Sequence, residues 1–188
     1  MHEQKQDLAA FGFWVYILSD CVLFSGLFAA YAVLHGESFG GVGPQDIFHL
    51  SPVLIETMFL LTSSFMCGMA LLDARAGKKR ATLLALLFTL ILGWAFLGME
   101  LSEFSSLIHD GHSFTQSAFL SSFFALVGTH GLHVALGSLW MLVLMISIYM
   151  RGLTASNTRK LVLFSLFWHF LDIIWIFIFT FVYLVGLL

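Results

Sequence analysis

Phe164-Ser165-Leu166-Phe167-Trp168-His169-Phe170-Leu171-Asp172-Ile173-Ile174-Trp175 lies inside an apolar run that extends from about Thr158 to Gly186. Such a run does not suit a water-soluble globule, because about 20 mostly apolar residues at 1.5 Å each are what crosses a hydrocarbon core roughly 30 Å thick. The composition of the whole chain agrees. Of 188 residues, 60% are apolar, 16% aromatic and 10% charged, whereas an average soluble domain is about 25% charged. Twenty-one phenylalanines and two prolines also exclude disorder, since the apolar surface far exceeds what offsets the entropy of ordering. A net charge of −3 with eight Lys plus Arg offers no basic footprint for a phosphate backbone, so nucleic acid is not an expected partner. Cys21 and Cys67 both lie in apolar runs. They form neither a disulfide framework nor a C-x-x-C motif and read as small hydrophobes.

Working outward from that run, four more stretches of spanning length appear, at about 8–34, 52–76, 81–108 and 116–150, with 158–186 as the fifth. The fold expected is all-α, an integral membrane bundle of five transmembrane helices forming one membrane domain over 1–188. Pro52 suits a first helical turn. A glycine-rich loop (Gly36, Gly40, Gly41, Gly43, Pro44) follows the first span, and the turn-forming string His109-Asp110-Gly111-His112-Ser113 ends the third. The fourth stretch, about 50 Å long as uninterrupted helix, is expected to tilt or protrude. Short cytoplasmic loops collect Lys and Arg, and here Lys5, then Arg75, Lys78, Lys79 and Arg80, then Arg151, Arg159 and Lys160 all fall on one side. This places the N-terminus in the cytoplasm and the C-terminus outside. The first stretch is too long, and its flank too acidic with Glu3 and Asp7, to read as a cleaved signal peptide.

Charged groups inside a membrane need a partner, a cavity or a changed protonation state. Asp20 sits near the middle of the first span. Glu56 lies near the outer end of the second, where it is expected to snorkel to the interface. The rest are paired three residues apart: Glu100 with Glu103, His130 with His133, His169 with Asp172. Residues so spaced share a helix face, so three consecutive helices each offer a polar pair to a common interior. Three readings of these residues differ in kind. Histidines and carboxylates on facing helices build di-iron sites in four-helix bundles, which would make the chain a membrane di-metal enzyme. Depth argues against it: Glu103 falls near the outer interface and His169 on the cytoplasmic side of centre, about 15–20 Å apart. A haem between two histidines meets the same objection. The second reading is a network of interhelical hydrogen bonds, supported by the small residues Gly128, Thr129, Gly131, Gly137 and Ser138 beside the histidines. The third is proton handling, as in intramembrane relays. A stand-alone proton-coupled transporter is disfavoured by the lack of an inverted repeat. Thr62-Ser63-Ser64 reads as helix packing, and the five tryptophans as a mixture of core and interfacial belt.

Taken in order, these segments resemble subunit III of the haem–copper oxidases. Residues 164–175 are similar to that family's W-H-F-x-D-x-x-W helix, and Gly128-Thr129-His130-Gly131-Leu132-His133-Val134 to its G-x-H-G-x-H-V motif. Gly98-Met99-Glu100-Leu101-Ser102-Glu103-Phe104 resembles the stretch with a glutamate before an aromatic. Leu18-Ser19-Asp20-Cys21-Val22-Leu23-Phe24 resembles the S-E-x-x-x-F segment, whose carboxyl group reacts with carbodiimide in cytochrome c oxidases. The resemblance covers roughly Phe11 to Leu188. Two departures place the chain within the family: it starts at what would be the third of seven helices in the larger versions, and it carries Asp at position 20. Five helices with Gly152-Leu153-Thr154-Ala155-Ser156-Asn157 are similar to the cytochrome o (bo-type) ubiquinol oxidase branch.

The resemblance implies a non-catalytic subunit of a respiratory complex in the bacterial inner membrane. That complex oxidises ubiquinol, reduces dioxygen to water and moves protons outward. No cofactor is expected in this chain; haem b, haem o (or a) and copper belong to subunit I. Implied partners are subunit I as the main contact, subunits II and IV, and phospholipid in a cleft between the first two helices and the other three. Supporting assembly and sustaining proton uptake are the implied roles. Asp20, Glu56 and Glu103 are the candidates for that cleft or for proton-related roles; Glu100, His130, His133, His169 and Asp172 are the candidates for the internal polar network. The alternative within the family is subunit III of a cytochrome c oxidase or of a nitric-oxide reductase-associated complex.

Overall fold

Apolar residues recur on every side of each predicted span, so burial must come from neighbouring helices and from lipid together. The computed structural model describes residues 2–34, 50–109 and 118–184. These form five long helices: α1 (His2–Leu34), α2 (Leu50–Arg75), α3 (Lys79–His109), α4 (Ala118–Arg151) and α5 (Ala155–Ile178), the last running on into a π-helical segment, Phe179–Leu184. The described residues contain no strand. All five helices are long and apolar enough to cross a membrane. The glycine-rich loop at 36–44 and most of the turn string at 109–113 lie outside the described residues. Pro52 falls in the first turn of α2, where a backbone N–H has no intrahelical acceptor to lose.

Four of the helices close a ring. α2 packs most extensively on α3, α3 on α4, α4 on α5, and α5 returns to α2. α1 leans on this ring from outside, mainly against α4 and to a lesser extent against α5, while the π-helical segment folds onto α2. The resemblance led to a different expectation, of two helices set apart from three. Because α2 is bound into the ring, α1 alone stands apart, and a groove of about 610 Å³ opens between α1 and α5, lined by Phe24, Phe28, Ala32, Ile174, Phe177 and Phe181.

The turns joining these helices are written in the sequence. Gly77 ends α2 with φ +73°, a left-handed conformation that glycine adopts without a Cβ penalty. Its N–H donates to Ala74 O and that of Lys78 to Asp73 O, the paired bonds of a Schellman motif. At the far end of α4, Gly152 (φ +75°) donates to Ile148 O at 2.9 Å, the single-bond version of the same stop. Thr154 then caps α5 by accepting from Asn157 N. The Asn157 side chain donates to Gly152 O and Ser147 O and accepts from the Ser147 hydroxyl. The 152–157 motif is thus a self-stitched turn that returns the chain antiparallel. These two turns lie at one end of the bundle, where Lys79 at the start of α3 donates to Tyr149 O near the end of α4 at 2.9 Å.

Burial is inverted relative to a soluble protein. Leu132, Leu136, Leu139, Val143 and Ile146 form one exposed stripe along α4, whereas Glu56, Glu100 and His130 are buried. Lipid is an adequate solvent for the first group but not the second.

Candidate functional site

The interior is organised around the α5 side chains quoted at the outset. Trp168 is buried, and its Nε1–H donates to Ser63 Oγ of α2 at 3.0 Å. The Ser63 hydroxyl in turn donates to Thr89 O of α3 at 3.0 Å. Glycines on both remaining ring helices make room for the indole: a Cβ on Gly93 or Gly137 would stand 3.0–3.1 Å from Trp168 ring carbons. One side chain of α5 therefore contacts each of the other three ring helices. Seven residues on, Trp175 repeats the device and donates from Nε1 to Thr57 Oγ1 of α2 at 3.0 Å. Tryptophan suits this role because its body fills apolar space while its one donor requires an acceptor.

Glutamates occupy the next level. Glu56 of α2 and Glu100 of α3 are 1% and 3% exposed, and together with half-buried Glu103 they are close enough to act on one another electrostatically. Tyr183, in the π-helical segment and fully buried, donates to Glu103 Oε2 at 3.4 Å. The Glu100 carboxyl lies against the backbone of α4 at Gly131, where an added Cβ would meet its oxygens at 2.7 and 2.8 Å. Among the described residues, both Glu100 oxygens and Glu56 Oε2 are buried without a hydrogen-bond partner. The expected snorkelling of Glu56 is overturned: α3 and the π-helical segment enclose that end of α2 and hold the carboxyl inside.

The histidines divide between different tasks. His130 is fully buried and meets rings rather than acceptors, stacking on Trp175 (5.3 Å between centroids) and meeting Phe96 edge-on (5.8 Å). Both its nitrogens lack a hydrogen-bond partner among the described residues, where aromatic packing stands in place of the interhelical hydrogen bond expected of it. His133, one turn on, joins α4 to α1. Its Nδ1 must carry a proton, because it bonds Thr129 O at 2.7 Å and a carbonyl only accepts. Its Nε2 faces Asp20 Oδ1 at 3.6 Å. His169 bonds Ser64 Oγ of α2 through Nδ1 at 2.5 Å, and Ser64 also serves Asp172.

The candidate residues thus fall into separate groups. Asp20 is partnered with His133 rather than sharing a cleft with Glu56 and Glu103, which instead join Glu100. His169 and Asp172 form a third group through Ser64. Among the described residues no three His, Cys, Asp or Glu side chains come together in a group that could hold a metal ion. The arrangement shows hydrogen bonds between helices, ring packing and close helix approach. Sequence reasoning missed Thr57 and Ser63 as acceptors for the tryptophans of α5 and Ser64 as the partner of His169, although their place on α2 in register with Trp175, Trp168 and His169 was a usable signal. It also missed Tyr183, whose inward direction depends on the π-helical segment.

The model of the cytochrome c oxidase subunit III family matches residues 2–187. Subunit 3 of the cytochrome bo(3) ubiquinol oxidase of Pseudomonas aeruginosa is 56% identical over 190 residues, covering 100% of this chain and 91% of that protein. Quinol oxidase subunit 3 of Bacillus subtilis is 46% identical, covering 94% of this chain and 86% of its own length. Cytochrome c oxidase subunit 3 of Bacillus sp. strain PS3 is 45% identical over 94% of this chain and 85% of its own length. With five apolar helices, an interior knitted from α5 and relatives matched along nearly their whole length, the chain belongs to the cytochrome c oxidase subunit III family.

Proposed function

We propose that this chain is the non-catalytic subunit III of a respiratory ubiquinol oxidase in the bacterial inner membrane. That complex oxidises ubiquinol, reduces dioxygen to water and moves protons outward. The observation that carries the reading is the 56% identity across the full chain to subunit 3 of a ubiquinol oxidase. The haems and copper of such a complex belong to subunit I. What this chain contributes is a lipid-facing bundle whose helices are joined by tryptophan, serine and threonine bonds between α5, α2 and α3. Subunit I is its main neighbour, with subunits II and IV completing the complex. We place the N-terminus in the cytoplasm, because the basic residues of both short turns lie at one end of the bundle and short cytoplasmic loops collect Lys and Arg. The groove between α1 and α5 is the place for phospholipid. Asp20, Glu56 and Glu103 are the residues through which support of proton uptake is to be sought, and Glu100, His130, His133, His169 and Asp172 serve the bundle interior.

A donor other than quinol is a second reading within the family, favoured by the 45% identity to a subunit of a cytochrome c oxidase. Purification through an affinity tag on this chain, followed by oxygen uptake with a short-chain ubiquinol or with reduced cytochrome c, separates the two. Uptake with ubiquinol alone is expected. Uptake with cytochrome c alone would overturn the quinol assignment and leave the family membership intact.

A further inference from the structure

The basic end of the bundle carries a second groove, of about 360 Å³, between α3 and α4. Leu83, Leu84 and Leu87 line one wall and Leu142, Met145 and Ile146 the other. We propose that this groove is a binding site for an acidic phospholipid, with an acyl chain between the leucine walls and the headgroup phosphate on the Lys79 ammonium. Lys79 stands one turn before Leu83 and two before Leu87, on the same helix face, so it closes the groove at the end where the apolar walls stop. Its Nζ donates to Tyr149 O at 2.9 Å and lies 5.6 Å from the centre of the exposed Tyr149 ring. An ammonium has three donors, and this geometry leaves two for an anion. Lys78, Arg80 and Arg151 are exposed at the same end. No acid occurs in the sequence between Asp73 and Glu100 or between Asp110 and Asp172, so neither wall offers these cations a carboxylate.

Size favours a lipid chain over a partner helix. Leu142 to Tyr149 covers about 10 Å of helix axis, whereas a helix is itself about 10–12 Å across and needs a longer seat. Basic pockets between transmembrane helices are recurrent sites for anionic headgroups, each Lys or Arg near the surface strengthening the attraction.

The test uses the purified complex containing this chain, in phosphatidylcholine nanodiscs with a trace of either phosphatidylglycerol or phosphatidylcholine bearing a photoreactive acyl chain. Cross-links are mapped by peptide mass spectrometry. Labelling within 83–87 and 142–149 is expected to be about fivefold stronger with the phosphatidylglycerol probe. It should fall by a similar factor in Lys79→Gln, persist in Lys79→Arg, and drop in Leu87→Trp, which fills the groove without touching the charges. Equal labelling by the two probes, or labelling indifferent to Lys79→Gln, would reduce the groove to ordinary lipid-facing surface. No labelling by either probe would mean that another subunit covers this face, and would equally overturn the proposal. If Lys79→Gln prevents assembly, the comparison of the two probes on the unaltered complex decides.

Discussion

Glu100 can lie on the backbone of α4 because residue 131 has no side chain. Gly131→Ala would bring a Cβ to 2.7 Å from a Glu100 oxygen. Because the atoms met are the far end of a glutamate side chain, the cost should fall at the low end of overpacking, about 1 kcal/mol, read as a lowered unfolding midpoint of the detergent-solubilised chain. In a Glu100→Ala background the same substitution should cost much less, since contacting residues couple. Equal costs in both backgrounds would deny the contact. Trp168 allows a finer test: Trp168→Phe keeps most of the ring volume but loses the bond to Ser63. The expected loss is about 0.6–1 kcal/mol, the range for interhelical hydrogen bonds in membranes and for neutral bonds generally. Residue spacing alone placed His130 and His133 on one helix face, and they do share it. It could not say that one would meet three aromatic rings and the other a carboxylate, because partner choice depends on the rotation and depth of helices distant in sequence.

At the scale of the helix, the spans were legible from their apolar length to within a few residues, whereas the stop and cap residues emerge from the structure. Gly77 and Gly152 sit where glycine's left-handed conformation is needed, and Thr154 and Asn157 carry the capping chemistry of α5. Thr154→Ala should lower stability by about 1 kcal/mol through loss of the cap, and Thr154→Ser should restore most of it; thermal unfolding of the two variants checks both. The π-helical continuation of α5 was not legible, since Phe179 to Leu184 has the same apolar composition as the helix before it. That one irregularity accounts for two surprises. It points Tyr183 at Glu103, and it helps to close over the end of α2, where Glu56 would otherwise have reached the interface.

For the molecule as a whole, composition and length gave the membrane class and the number of helices, and the order of motifs gave the family. Arrangement did not follow from either, because nothing in a span's own sequence states which neighbour it will touch. The ring of α2 to α5 with α1 outside is therefore a structural finding, and the polar contacts that tie α1 to it include Asp20 with His133 and the Tyr31 hydroxyl, which donates to Val182 O. Asp20→Ala should leave the initial rate of quinol oxidation nearly unchanged, measured by oxygen uptake in the first turnovers, while weakening retention of this chain in the purified complex. An immediate large loss of rate would instead give Asp20 a direct part in proton delivery. The redox chemistry belongs to other subunits, while the interior of this chain packs through ring contacts and through bonds at Thr57, Ser63, Ser64 and Tyr183. Metal analysis of this chain after its separation from the purified complex tests that most directly. Iron and copper should be found only with the remaining subunits, and stoichiometric iron or copper on the separated chain would overturn this assignment.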